Sequence, residues 1–126
     1  MTEKYAKILY NWLSQFGTTI RGVLPANATE PSGVFLTYDV VAGNFGENFM
    51  QAISIYEIGA TNYENIWAVV DDIENTIREC GVIIRNSDMN ITIYKGSPFY
   101  QDIGSGNDTA KAGYINLQVK IYQKDN

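Results

Sequence analysis

Residues 114 to 122, "YINLQVKIY", alternate without a break: Ile115, Leu117, Val119 and Ile121 fall on one side, Tyr114, Asn116, Gln118, Lys120 and Tyr122 on the other. A period of two matches a β-strand, whose side chains point to opposite faces in turn, whereas a helix would scatter the same aliphatics around its circumference. This stretch commits the chain to a sheet with one apolar and one polar face. The apolar face has to be covered by something else in the sequence.

Two amphipathic segments can do it. Within residues 3 to 16, Tyr5, Ile8, Leu9, Trp12, Leu13 and Phe16 recur at i, i+3, i+4 spacing, with Glu3, Lys4, Lys7, Asn11 and Ser14 elsewhere, and Gly17 offers a stop. After Gly59, "ATNYENIWAVVDDIENTIREC" offers Thr61 or Asn62 as an N-cap and sets Tyr63, Ile66, Trp67, Val70, Ile73 and Ile77 on one stripe. Gly81 is the expected end of this second helix. Both tryptophans, Trp12 and Trp67, sit on these stripes and are expected to fill the core. Glu74 and Arg78, at i, i+4, suit a solvated pair on the helix surface, and Asp71 and Asp72 lie on the side away from the stripe.

The remaining apolar runs are strand-like. Val34 to Val41 and Phe49 to Ile58, joined by "AGNFGEN", predict an antiparallel hairpin with a long tip. "VII" at 82–84, "NITIYKG" at 90–96 and "SPFYQDI" at 97–103 predict three short strands, with Pro98 at a strand start or turn because it lacks an amide donor. "PANATEPSG" at 25–33 and "GSGNDTAKAG" at 104–113 have no apolar period and read as loops. The expected fold is α+β: an antiparallel or mixed β-sheet with two amphipathic helices packed on one face, forming one domain over residues 1–126. The 45% hydrophobic content suffices for one core.

The sequence is poor in catalytic chemistry. It contains no histidine, which removes imidazole acid–base catalysis, histidine triads and the usual zinc sites. Its one cysteine, Cys80, cannot form an internal disulfide, and at a helix C-terminus the dipole disfavours a thiolate. "GSGND" has a Gly-x-Gly but lacks the further glycine and Lys-Ser/Thr of a phosphate loop, so no cofactor is expected. With 14 acidic against 9 basic residues and a net charge of -5, free nucleic acid is a poor primary ligand. No apolar stretch approaches the ~20 residues that would span a bilayer, and the N-terminal segment does not resemble a signal peptide.

Taken together, the N-terminal helix, the hairpin, the passage "SIYEIGATNYENIWAVVDDIENTI" and the final alternating strand resemble the bacteriophage tail terminator or minor capsid family, the tail-completion and head–tail joining proteins. The resemblance covers most of the chain as pattern and element order, without a diagnostic short motif. It implies a structural role and no catalysis: a ring of copies, commonly a hexamer, that caps the tail tube and joins it to the neck or, in contractile and headless tail-like particles, to the sheath end. DNA would pass through such a ring only as cargo. It also implies a virion location, with assembly in the host cytoplasm and no membrane. Alternatives are a head-side connector or stopper and, in a different class, a small α+β ligand-binding or enzymatic domain or a protein–protein regulatory domain.

Ring subunits need two different surfaces for their neighbours. The candidates are the hairpin tip with Asn44, Phe45 and Glu47; the acidic helix residues Asp71 and Asp72; Tyr100, Asp102 and Lys111 in the 97–112 region; and Tyr114, Asn116, Gln118 and Tyr122 on the polar face of the last strand. Phe45, between Gly43 and Gly46, either folds back on its own hairpin or inserts into a neighbour, with the two glycines letting the tip bend.

Overall fold

A computed structural model describes residues 2–22, 31–104 and 110–123. Its elements run α1 (Thr2–Ser14), β1 (Thr18–Arg21), β2 (Val34–Tyr38), β3 (Asn48–Ile58), α2 (Glu64–Ile77), β4 (Val82–Arg85), β5 (Met89–Ile103) and β6 (Ala110–Gln123). The strands form one six-stranded mixed sheet in the order β1-β2-β3-β6-β5-β4, an α+β fold. All pairs are antiparallel except β1 with β2. The edges, β1 and β4, are four residues each.

The alternation along β6 decides the centre of the sheet. Ile115, Leu117, Val119 and Ile121 of β6 are all 0% exposed. They lie in register with Ile53 and its alternates on β3 and with Ile91 and Ile93 on β5. Tyr5, Leu9, Trp12 and Leu13 from α1 and Ile66, Val70, Ile73 and Ile77 from α2 join the same hydrophobic cluster. Burying each such side chain contributes about 1.5–3 kcal/mol, which holds the helices to the sheet.

Directed bonds fix where α1 sits. Tyr38 Oη donates to the Ala6 carbonyl at 3.0 Å, and Tyr5 Oη donates to Gln51 Oε1 at 2.9 Å. Gln51, 0% exposed, also accepts from the Val41 amide at 3.2 Å and donates to the carbonyls of Asp39 (2.7 Å) and Ala52 (3.2 Å). A buried carboxamide with all its bonding capacity in use ties helix, strand and the start of the hairpin tip together.

Several expectations are corrected. β1 has no counterpart in the sequence reading, because four residues of Thr-Thr-Ile-Arg are too short to show a period. The strands expected at 90–96 and 97–103 are one continuous strand interrupted by a bulge, in which residues 96 to 99 face the single residue Asn116. The loop expected at 104–113 is strand from Ala110 on, and its residues 105–109 lie outside the described residues, as do 25–30 of the earlier loop.

The second helix ends at Ile77, not at Gly81. Arg78 leaves it at φ 62° and ψ −177°, its amide bonding the Glu74 carbonyl at 2.9 Å, and Gly81 at φ 81° completes the turn into β4. Arg78 is therefore outside the helix, and Glu74 pairs instead with Lys95 on β5 at 3.0 Å. The N-cap is Tyr63, neither Thr61 nor Asn62, and its side chain makes no cap bond; Asn62, one residue earlier, accepts the Glu64 amide on its Oδ1 at 3.0 Å. Trp67 is 47% exposed, against the core position expected for it. At 100° per residue it stands about 90° from the centre of the Ile66–Val70–Ile73–Ile77 stripe, so the helix carries it to the rim of the core.

Candidate functional site

The candidate residues separate into four places. The first is the sheet face opposite the cluster. Tyr114, Asn116, Gln118, Lys120 and Tyr122 point there, flanked in register by Met50 on β3, Tyr94 on β5 and Ile83 on β4. Ile83, Met50, Tyr114, Tyr122 and Tyr94 are 40–54% exposed, so the face presents a run of large apolar and aromatic groups. Lys120 Nζ lies 5.2 Å from the Tyr122 ring centroid. Asn116 is partly committed, because its Nδ2 donates to the Pro98 carbonyl at 2.9 Å and so holds the β5 bulge.

Toward β1 the sheet curls, and the same face becomes a groove of about 540 Å³ lined by Phe35, Thr37, Ala52, Ser54, Tyr56 and Tyr114 among others. Phe35, only 4% exposed, stacks on Tyr56 at 5.4 Å.

The hairpin tip is the second place. Phe45 is 41% exposed, and the tip is built rather than loose. The Glu47 amide bonds the Asn44 carbonyl at 3.2 Å, Asn44 Nδ2 donates to Glu47 Oε2 at 3.3 Å, and the Gly46 amide bonds the Ile121 carbonyl at 2.8 Å. The two glycines do different work from the flexibility expected of them. Gly46 takes φ 78°, which disfavours a side chain, and a Cβ on Gly43 would come within 2.8 Å of the Phe49 ring. Asp71 and Asp72, the third place, are exposed on the outer side of α2.

The fourth place owes its existence to the bulge. Upstream, odd-numbered residues such as Ile91 and Ile93 face the helices; downstream, Tyr100 is opposite Ile115 and Asp102 opposite Gly113, so the parity has flipped. Tyr100 and Asp102 thereby meet the first turns of α2. Tyr100 Oη donates to Asp102 Oδ1 at 2.5 Å, and the Trp67 indole N–H donates to the same oxygen at 3.0 Å. Tyr63 stacks on Trp67 with centroids 5.7 Å apart and planes 16° off parallel, and its hydroxyl donates to the Ile103 carbonyl at 3.1 Å. Lys111 reaches over Tyr63 from β6, 6.0 Å from the ring centroid. Burial, and then the Asp102 hydrogen bond, push the Tyr100 hydroxyl well above its ordinary pKa, so it remains a donor.

The structure thus joins Tyr100, Asp102 and Lys111, and adds Tyr63 and Trp67, which the sequence reading had assigned to the apolar stripe. Trp67's offset from the centre of that stripe was the available signal. The 11 residues of β3 separate this cluster from the Phe45 tip by roughly 35 Å, at about 3.3 Å per residue. Met50, Ile83 and Tyr94 were also missed, since their place on the open face depends on register between distant strands.

Among the described residues no group of three or more His, Cys, Asp or Glu is placed to hold a metal ion, and no helix is long and apolar enough to cross a membrane. No protein-family model matches the chain, and neither does any curated protein.

Proposed function

We propose that the chain is a structural subunit of a bacteriophage or phage-tail-like particle: a tail terminator that closes into a ring, commonly of six copies, caps the tail tube and joins it to the neck or sheath end. The observation that carries this reading is the open sheet face, where Met50, Ile83, Tyr94, Tyr114 and Tyr122 remain exposed together. Apolar and aromatic groups gathered on one surface favour a protein partner, and tyrosines suit interfaces because an apolar ring carries a hydrogen-bonding tip. The Phe45 tip and the Trp67 cluster supply two further, dissimilar surfaces at opposite ends of β3, as a head-to-tail ring or a stack between tube and neck needs. With net charge -5, such a ring would repel passing DNA rather than grip it.

The test is the mass of the protein in solution, alone and mixed with a phage tail tube protein. Closed rings in either case support the proposal. A monomer at every concentration that ignores tube protein refutes it. The groove beside Tyr56 favours a second reading, a small-molecule binder, since its volume lies in the range of ligand sites. Saturable binding of a metabolite by a stable monomer would favour that reading.

A further inference from the structure

The end cluster has a composition that the ring reading does not require. A carboxylate is held by two donors on one oxygen, while Asp102 Oδ2 takes no hydrogen bond among the described residues. No basic side chain pairs with Asp102 among them either. Beside the carboxylate stands a flat aromatic platform, Trp67 on Tyr63, with the indole 47% exposed. Lys111 lies at the outer limit of cation–π range from Tyr63, which places a cation over the stack but leaves the carboxylate unpaired.

We propose that Trp67, Tyr63 and Asp102 form a receptor for an arginine side chain presented by a protein partner. A guanidinium is flat and weakly hydrated, so it can lie on the indole while its fork donates to Asp102 Oδ2. Lysine can satisfy the charge but not the stacking and the fork together. The platform is already oriented: the indole bond to Asp102 fixes the ring, and Tyr100 fixes the carboxylate. Exposed tryptophans held this way are the residues on which interface affinity concentrates. This site stands independently of ring formation, which concerns how many copies associate and not which side chain this cluster accepts.

The experiment is a titration of the whole chain with N-acetyl-arginine amide, following the Trp67 indole N–H by NMR, with Trp67→Phe used to tell its signal from that of Trp12. A saturable shift is expected, with a dissociation constant on the order of millimolar. N-acetyl-citrulline amide, which keeps the shape and loses the charge, should bind about tenfold more weakly, and N-acetyl-lysine amide should also fall behind. Asp102→Asn keeps an acceptor for Trp67 and Tyr100 but removes the charge, and should abolish the arginine preference while the rest of the spectrum stays in place. An unsaturable response, an equal response to citrulline amide, or undiminished arginine binding by Asp102→Asn overturns the proposal. Solution mass, which tests the ring, is untouched by any of these outcomes.

Discussion

Replacing Gln51 with methionine should show how much of the attachment of α1 rests on one carboxamide. Gln51 is 0% exposed, and its oxygen and nitrogen make four hydrogen bonds: from Tyr5 Oη (2.9 Å) and the Val41 amide (3.2 Å), and to the carbonyls of Asp39 (2.7 Å) and Ala52 (3.2 Å). Methionine keeps the length and the unbranched shape and makes none of them. The Tyr5 hydroxyl belongs to a residue that is also 0% exposed, so it stays unsatisfied at a cost of about 1–3 kcal/mol. Val41 and Asp39 are exposed, so water can take over, and each loses only the net worth of its bond, about 0.5–1.5 kcal/mol. Burial of the thioether returns part of the sum, leaving an expected loss of about 2–4 kcal/mol.

The decisive measurement is a double-mutant cycle by urea denaturation at constant m. Tyr5→Phe alone should cost about 1 kcal/mol, because it removes a partner from Gln51. In the Gln51→Met background the same change should stabilise by about 1 kcal/mol, because it removes an orphaned hydroxyl. Equal effects in both backgrounds would refute the reasoning, as would a Gln51→Met loss below about 1 kcal/mol. Amide exchange over residues 39–47 should rise in Gln51→Met, since that carboxamide anchors the root of the Phe45 tip.

Arg78→Gly should stabilise the fold by about 1 kcal/mol in thermal unfolding, because φ 62° with ψ −177° is a conformation glycine adopts without strain. A Cβ at Gly113 would stand 2.5 Å from the Tyr100 hydroxyl oxygen, so Gly113→Ala should displace that ring, cost about 1–3 kcal/mol and shift the Trp67 indole NMR signal. Burial raises Tyr38 to about 12 and pushes Tyr5 up as well. The folded state therefore holds these protons after the unfolded chain releases them at ~10, so stability is intact below that pH and falls between there and about 12. Tyr38→Phe should flatten this alkaline decline in urea midpoints.

What could be read from the sequence was whatever is local and periodic. Ile115 to Ile121 announce their face because each is two residues from the next, and the α1 stripe is legible for the same reason at its own period. The end cluster was only partly legible. Tyr100 and Asp102 were singled out in an expected short strand and Lys111 in an expected loop, but their meeting with Trp67 depends on a bulge that reverses which side of β5 faces the helices. No propensity encodes that reversal; it follows from Gly96 having no room for a Cβ beside Asn116 and from the Asn116 bond to Pro98. Gln51 was equally silent, one amide in an alternating strand, until residues far away in sequence closed around it.

The two edges of the sheet carry a consequence for the kind of object this chain can build. A sheet that accepts another strand at its rim has no reason to stop, and the product is a fibre. Here the two outermost strands are four residues each and finish in an arginine, Arg21 on one side and Arg85 on the other, so each offers an incoming backbone only a short, charged stretch. Contacts made by side chains on a broad face end when the matching surface is used up. Short outermost strands and a wide face would suit the closed ring proposed above.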